Sequence, residues 1–426
     1  MTAYKESGIK WLGKIPAHWE VMKLKFLAKN IIGGGTPNTS NKEYWSENDL
    51  DSYLWVSIED ISKSSFIVNT KRKITKKGIE NSSAKIVPPY SILYSIYASL
   101  GKVAYSDKEL TTNQAILSIE LKDRFYYKYY FYFLQSITKS IMEMSLSTTQ
   151  NNISLSILQD FFVLVPPLEE QEKIADFLDK KLEKIDYFIA KQTKFIELLK
   201  EQKQVLINQA TTKGLNKSTE LKDTHISHLG KIPTHWEMVR NSLIFTDLKE
   251  VVGENSHSYT LLSLTKQGII PRDMESGKGK FPAEFNTYKI VNPNNLVFCL
   301  FDIDETPRTV GISNDNGMIT GAYNVFSIQN ANPRYIYYYY LSVDDKKALK
   351  PYYTSLRKVI NLETFMGIKT PLPPLEEQEK IAKYLDDKCE KIDKAINNIA
   401  KQISLIQEYK TSLIDTTTKG MLKELK

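Results

Sequence analysis

Side chains able to read the edges of nucleic-acid bases are concentrated in the turn-rich stretches of this 426-residue chain. Thr36, Asn38 and Thr39 follow a run of glycines, Lys71, Arg72 and Lys73 form a basic triplet, and Asn113 and Gln114 precede an apolar run. Thr148, Gln150 and Asn152 lie in a further polar stretch; Lys266, Gln267, Arg272, Arg308, Asn324, Arg357 and Lys358 are their counterparts in the second half. Arg and Lys can pair with guanine, Asn and Gln with adenine, and any of them with phosphate. The same residue types populate every solvated loop, so placement must decide between contact and plain solvation.

Other chemistries find less support. Gly33-Gly34-Gly35-Thr36-Pro37 is not followed by the Gly-Lys-Ser/Thr that holds phosphate and metal, which leaves a flexible contact loop or a plain turn. Val87-Pro88-Pro89-Tyr90 is similar to the Asp/Asn/Ser-Pro-Pro-Tyr/Phe loop of amino-methyltransferases, but valine offers no oxygen to a target amino group. No glycine-rich strand-to-helix turn for S-adenosylmethionine accompanies it, so a turn ahead of a strand from Ser91 to Tyr97 is expected. The five histidines do not converge with Cys or acids at metal spacing; His225 and His228 alone make a weak pair. No catalytic residue and no metal ligand is expected.

The elements that must position these loops are duplicated. Pro166 to Asp186 and Pro373 to Asp393 are identical at about 17 of 21 positions. Leu12 to Glu20 matches Leu229 to Glu237, and Thr212-Lys213-Gly214 matches Thr418-Lys419-Gly420. His18 and His235 stand in the repeated His-Trp-Glu element and read as structural, fixing how each domain begins. Each repeat thus has a long variable part and a short constrained end, a layout suited to two different readers on one frame.

Length and repeat together favour two globular domains plus connecting helices. No stretch has the roughly 18 apolar residues of a membrane span, and the first residues lack a signal peptide's apolar core. Two cysteines, Cys299 and Cys389, fit buried small hydrophobes in a reducing compartment rather than a disulfide framework. The net charge is +7 with a pI near 8.9. Residues 169–205 hold about nine acids and eight lysines and 376–412 about eight and seven, so the positive excess belongs to the variable parts. That surplus allows an acidic partner such as nucleic acid without requiring one.

After each Pro-Pro pair the sequence turns helical, opening on acids and closing on Lys-Gly. Leu178, Leu182, Ile185, Ile189, Gln192, Ile196, Leu199 and Leu206 recur at alternating steps of four and three. Leu385, Cys389, Ile392, Ile396, Ile399, Ile403, Ile406 and Leu413 fall at matching positions. Such seams predict helices of roughly 40 residues or 60 Å that pair as an antiparallel coiled coil, against the simpler alternative of an amphipathic helix lying on its own domain. The variable parts, about 1–160 and 217–368, show short β-branched runs between turns, including Tyr53–Ile58, Ala115–Ile119, Asn295–Leu300 and Tyr323–Ile328, and read as mixed α+β. The tyrosine runs 126–133 and 335–340 are too continuous for one exposed stacking face and read as packed helices.

The chain resembles the specificity subunit of type I restriction-modification enzymes. The resemblance rests on Gly13 to Glu20, Gly34-Gly35-Thr36-Pro37, Trp55-Val56-Ser57-Ile58-Glu59-Asp60 and Pro166 to Ala175; it covers nearly the whole chain and appears twice. The second half departs from it, carrying Gln267 to Asp273 in place of the glycine loop. The resemblance implies an α+β fold with two similar target-recognition domains, 1–165 and 215–372. It also implies conserved helical spacers, 166–214 and 373–426, forming a long antiparallel two-helix coiled coil in a pseudo-twofold, nearly circular tandem repeat. It further implies a non-catalytic cytoplasmic reader of a gapped bipartite site in double-stranded DNA. Two adenine methyltransferase subunits, which would hold S-adenosylmethionine, and restriction motor-nuclease subunits would be its partners; no membrane is involved. A single-chain methyltransferase or nuclease would need cofactor glycines or an acidic metal cluster, which are missing, and a coiled-coil scaffold would leave the two differing domains unexplained.

Overall fold

The computed structural model describes residues 3–46, 51–97, 100–138, 140–141, 153–272, 284–354 and 358–422. The chain divides into two compact units, Met1–Lys191 with Lys401–Lys426, and Gln192–Ala400.

In the first unit a four-stranded antiparallel sheet runs Ala28–Gly33, Ile116–Leu121, Ile92–Ser95, Val103–Ala104. Alternation along its strands sends Tyr94, Leu117 and Ile119 into the main core with Trp19, Tyr129, Phe133 and Leu178, and Leu93 and Ile116 to a smaller core with Val56 and Leu110. A second sheet orders Leu110–Thr112, Ser52–Val56, Arg72–Thr75 and Trp45–Ser46, with its first pair parallel. The strand expected over Tyr53–Ile58 stops at Val56 because Ser57 caps a helix, Ile58–Lys63. Asp60 Oδ2 accepts from the Ser57 backbone N–H at 2.9 Å, completing a capping box that ends the extended backbone there.

The second unit repeats the main sheet as Phe245–Leu248, Asn324–Ile328, Leu296–Phe298, Val310–Ile312. It replaces the second sheet with two short antiparallel ladders, Leu262–Thr265 with Gly268–Pro271 and Lys289–Val291 with Gly317–Ile319, joined by a parallel bridge between Leu261 and Met318. The frame under the variable loops is therefore common and their setting is not.

Both tyrosine runs are helices, Tyr127–Ser136 and Pro333–Asp345, with Tyr129, Tyr130, Tyr335, Tyr339 and Tyr340 buried. A half-buried carboxylate fastens each to a long helix. Tyr132 donates to Asp179 Oδ1 at 2.6 Å with Lys128 on the other oxygen; Tyr338 donates to Asp386 Oδ1 at 2.6 Å, and Arg334 binds the same group. Burial works against the charge of Lys128, yet the Asp179 carboxylate outweighs it and raises the lysine above its ordinary range.

The long helices span Leu168–Lys213 and Leu375–Thr418. In the first unit Leu178, Leu182, Ile185 and Leu413 are buried and Ile189, Ile403 and Ile406 half-buried. In the second Leu385, Cys389, Ile392 and Ile399 are buried and Ile196, Leu199, Leu206 and Ile396 half-buried. Burial pushes the Cys389 thiol up to about 11, as expected of a cysteine standing for a leucine in the seam. Within each unit the two helix halves run antiparallel: Lys410 pairs with Asp186 in the first, and Lys203 pairs with Asp393 at 2.6 Å in the second. These pairs are the same two repeat positions with the helices exchanged.

One junction is built in each unit from matched residues. The Trp19 indole donates to Glu170 Oε2 at 2.8 Å and His18 Nε2 lies 2.7 Å from Glu170 Oε1. The Trp236 indole donates to Glu377 Oε2 at 3.2 Å, and His235 Nε2 lies 2.8 Å from the same oxygen. Beside them, Gln171 donates to Pro166 O and accepts from the Tyr126 backbone N–H, and Gln378 donates to Pro373 O and accepts from that of Asn332, all at 2.8 Å. The helix ends meet these tryptophans through glycines in the left-handed region, Gly420 (φ 69°) and Gly214 (φ 72°), where a side chain would strain the backbone. A Cβ on Gly420 would also collide with Pro16 and Trp19.

Trp19 is 1% exposed, so Glu170→Ala leaves a buried indole N–H without its acceptor, a cost of about 1–3 kcal/mol. Thermal unfolding should show a clear loss for Glu170→Ala and for Glu377→Ala, largely restored by glutamine, which keeps an acceptor. An unchanged melting temperature in both alanine variants would show that the carboxylates do not hold the junction.

Candidate nucleic-acid interface

The glycine run of the first unit is a contact between three backbone segments. A Cβ on Gly34 would collide with the carbonyls of Thr112 and Asn113, and one on Gly35 with Ser83 and Ala84. The close approach is fixed by Gly35 N–H donating to Thr112 O at 2.8 Å and by the buried Trp55 indole donating to Gly35 O at 2.9 Å. It sets Thr36 against Gln114, with the threonine hydroxyl donating to Gln114 Oε1.

Asn38 holds the outer part of this loop. Its Oδ1 accepts from Ser40 N–H at 3.0 Å, and its carbonyl accepts from the Trp45 indole at 3.2 Å. Trp45 stands edge-on to Trp55 at 5.0 Å, and the Arg72 guanidinium lies 5.2 Å from the Trp45 ring centre. The aromatic pair thus brings the strand carrying Arg72 and Lys73 to the loop carrying Thr36, Asn38 and the exposed Thr39. Lys71 lies 3.4 Å from Glu59. Lys63 and then Lys71 hold the Glu59 carboxyl below its ordinary range. Trp55, Ser57, Glu59, Asp60, Lys71 and Arg72 line a shallow cavity of about 220 Å³ beside this cluster. Asn113 turns inward, its Oδ1 accepting from Ala115 N–H at 3.1 Å, so it shapes the turn that presents Gln114.

The positions in the second unit are scattered by comparison. Lys266 and Gln267 are exposed at the tip of the ladder between Thr265 and Gly268, Arg272 follows Pro271, and Asn324 opens a core strand opposite Phe298. Two of the expected contact residues are engaged within their own unit. Arg308 is held inside the unit, its Nη1 3.1 Å from Asp344 and 2.9 Å from Asp345, in a network that also takes the Thr309 backbone N–H and Lys347. Asp344 is 3% exposed, so a buried carboxylate needing compensation claims this arginine. Lys358 is tied to Glu305 and to Asp304, which raise it above its ordinary range. Thr148, Gln150, Asn152 and Arg357 lie outside the described residues.

Trp45 was not among the residues expected to matter, although it connects the loop to Arg72. The only sequence signal was a tryptophan amid polar residues shortly after a glycine loop. Among the described residues there is no cluster of His, Cys, Asp or Glu able to hold a metal ion, and no helix long and apolar enough to cross a membrane.

Comparison with known proteins places this arrangement. A solved chain from work on complex assembly and conformational transition of the type I R-M system superposes with a TM-score of 0.69 over 96% of this chain and 99% of that one, at 14% identity, a likeness of fold. The MjaIX specificity subunit of Methanocaldococcus jannaschii, a type I restriction enzyme subunit, is 34% identical over 42% of this chain, a match spanning 40% of that protein. The putative MjaX specificity subunit of the same organism is 28% identical over 99% of this chain and 98% of its own length. The model of the type I restriction modification DNA specificity domain matches residues 16–198 and 301–404, one segment in each repeat, and the chain belongs to that family.

Proposed function

We propose that the chain is the DNA-reading subunit of a type I restriction-modification enzyme, with residues 1–165 and 215–372 each recognising one half of a gapped, asymmetric site. Residues 166–214 and 373–426 act as the spacer between readers and as the seat of two methyltransferase subunits. The observation that carries this reading is one junction built twice, residue for residue, beneath loops and ladders that differ. A common frame with divergent readers is what an asymmetric DNA site demands of a duplicated chain.

In this reading the chain does no bond chemistry. Adenine methylation occurs on partner subunits that carry S-adenosylmethionine, and motor-nuclease subunits join the same assembly, in the cytoplasm, to cut unmodified DNA. The chain's own part is to hold base-reading side chains in register and to supply cations for phosphate. Arg72, braced on Trp45, and Lys71 and Lys73 beside it are a basic group brought to the loop in the first reader. Binding should weaken as salt rises, since each neutralised phosphate releases counterions.

The complex of this chain with its methyltransferase subunits should methylate adenine within a bipartite motif, and the chain alone should methylate nothing. Methyl transfer by the isolated chain that survives repurification would overturn the assignment. Exchanging residues 20–160 for those of a relative should change one half-site only, read by sequencing methylated DNA.

The spacer gives a metric expectation. One heptad adds about 10 Å of helix and DNA rises about 3.4 Å per base pair, so a heptad inserted in both long helices should widen the gap by roughly three base pairs. Both helices must be lengthened together, because one-sided insertion breaks the packing of the seam. An active variant with the original gap would show that these helices do not set the spacing.

A further inference from the structure

We infer that Gln114 reads an adenine in the half-site of the first domain, with Thr36 as its positioning residue. The inference rests on the DNA-reading role proposed above and names the contact that gives one reader its specificity. Of the polar side chains gathered around the glycine loop, Asn38 and Asn113 are turned to their own backbones. Gln114 is exposed at the tip of its turn, and among the described residues its amide is held from one side, by Thr36.

The way it is held matters. Thr36 donates to Gln114 Oε1, which uses one of the two lone pairs of that oxygen. The other lone pair and both Nε2 hydrogens remain. An oxygen that still accepts, beside a nitrogen that donates, is the complement of adenine in the major groove, where N6–H donates and N7 accepts. Guanine shows two acceptors there, so its O6 would face Oε1 and lose the bond. A free glutamine gives up much rotamer freedom when it binds. Thr36 removes part of that loss in advance, because Gly34 and Gly35 allow no slack between the loop and the Asn113 turn.

The pair belongs to the first domain alone. The second domain enters its matching strand, Asn324–Ile328, through Thr320-Gly321-Ala322-Tyr323, which puts Tyr323 at the place of Gln114 and its one amide, the half-buried Asn324, a residue later in the core strand. A change at Gln114 should therefore alter one half-site and leave the other untouched.

The test uses the full chain assembled with its methyltransferase subunits. Methylated-motif sequencing is combined with binding to duplexes in which each specified base pair is replaced in turn. The wild-type motif should contain an A·T pair in the affected half at which Gln114→Ala relaxes the requirement, with discrimination falling about 5- to 150-fold. Gln114→Glu should move the preference at that one position toward cytosine, whose N4 donates to a carboxylate. Thr36→Val should soften the same position, and Thr36→Ser, which keeps the hydroxyl, should restore it. Unchanged motifs in Gln114→Ala and Gln114→Glu, or a loss of binding equal on all duplexes, would overturn the inference. If the wild-type complex itself showed no sequence preference, the fault would lie with the broader reading instead.

Discussion

A buried indole N–H must find an acceptor, and in this chain that requirement joins each variable domain to the frame. Trp19 and Trp236 lie at the starts of the domains, and their acceptors, Glu170 and Glu377, lie in the first turns of the long helices. A carboxylate there also faces the positive end of the helix, so one residue answers two electrostatic needs. The neighbouring Gln171 and Gln378 are buried and extend the same logic to the tyrosine helices, accepting the backbone N–H of the residue that precedes each one. Leaving either group unpaired would cost more than any single surface contact contributes.

With the junction fixed, the loops are free to diverge. The first reader uses two glycines and two tryptophans to bring three backbone segments and one arginine together. The second has no such loop and relies on two short ladders and on an ion-pair network centred on Asp344. Neither device reaches into the junction residues, so a change in what is read need not disturb how the reader is mounted.

The junction and helices were legible in the sequence because duplication marks every residue that both copies need. The seam, the closing Lys-Gly, the structural role of His18 and His235 and the packed tyrosine helices all follow from repetition and periodicity. The reading loops were not legible, because they are the part that is not repeated and their residue types serve solvation and ion pairing equally well. Arg308 shows the difficulty: its partner Asp344 lies 36 residues away, and no local pattern announces a buried carboxylate. The strand expected over Tyr53–Ile58 forms but ends two residues early, since the capping box at Ser57 and Asp60 is a local signal that competes with the apolar run before it.

The two junctions also differ in how the chain closes them. In the second unit Gly214 runs on covalently to the hairpin of Leu221–Asp223 and Lys231–Pro233, and its α-carbon packs beside Trp236. In the first unit the same meeting, of Gly420 with Pro16 and Trp19, joins segments about four hundred residues apart in sequence. Tyr4 donates to Gly420 O at 3.0 Å from the position where the second hairpin has Leu221, and Tyr129 donates to Thr418 O at 2.8 Å. The matching Tyr335 lies 3.4 Å from Thr211 O and gives its shorter bond, 2.9 Å, to Pro371 O instead. More hydroxyls thus grip the helix end at the junction whose partners lie about four hundred residues apart in sequence than at the one whose partners lie about twenty apart, as the larger entropy of closing a longer loop requires.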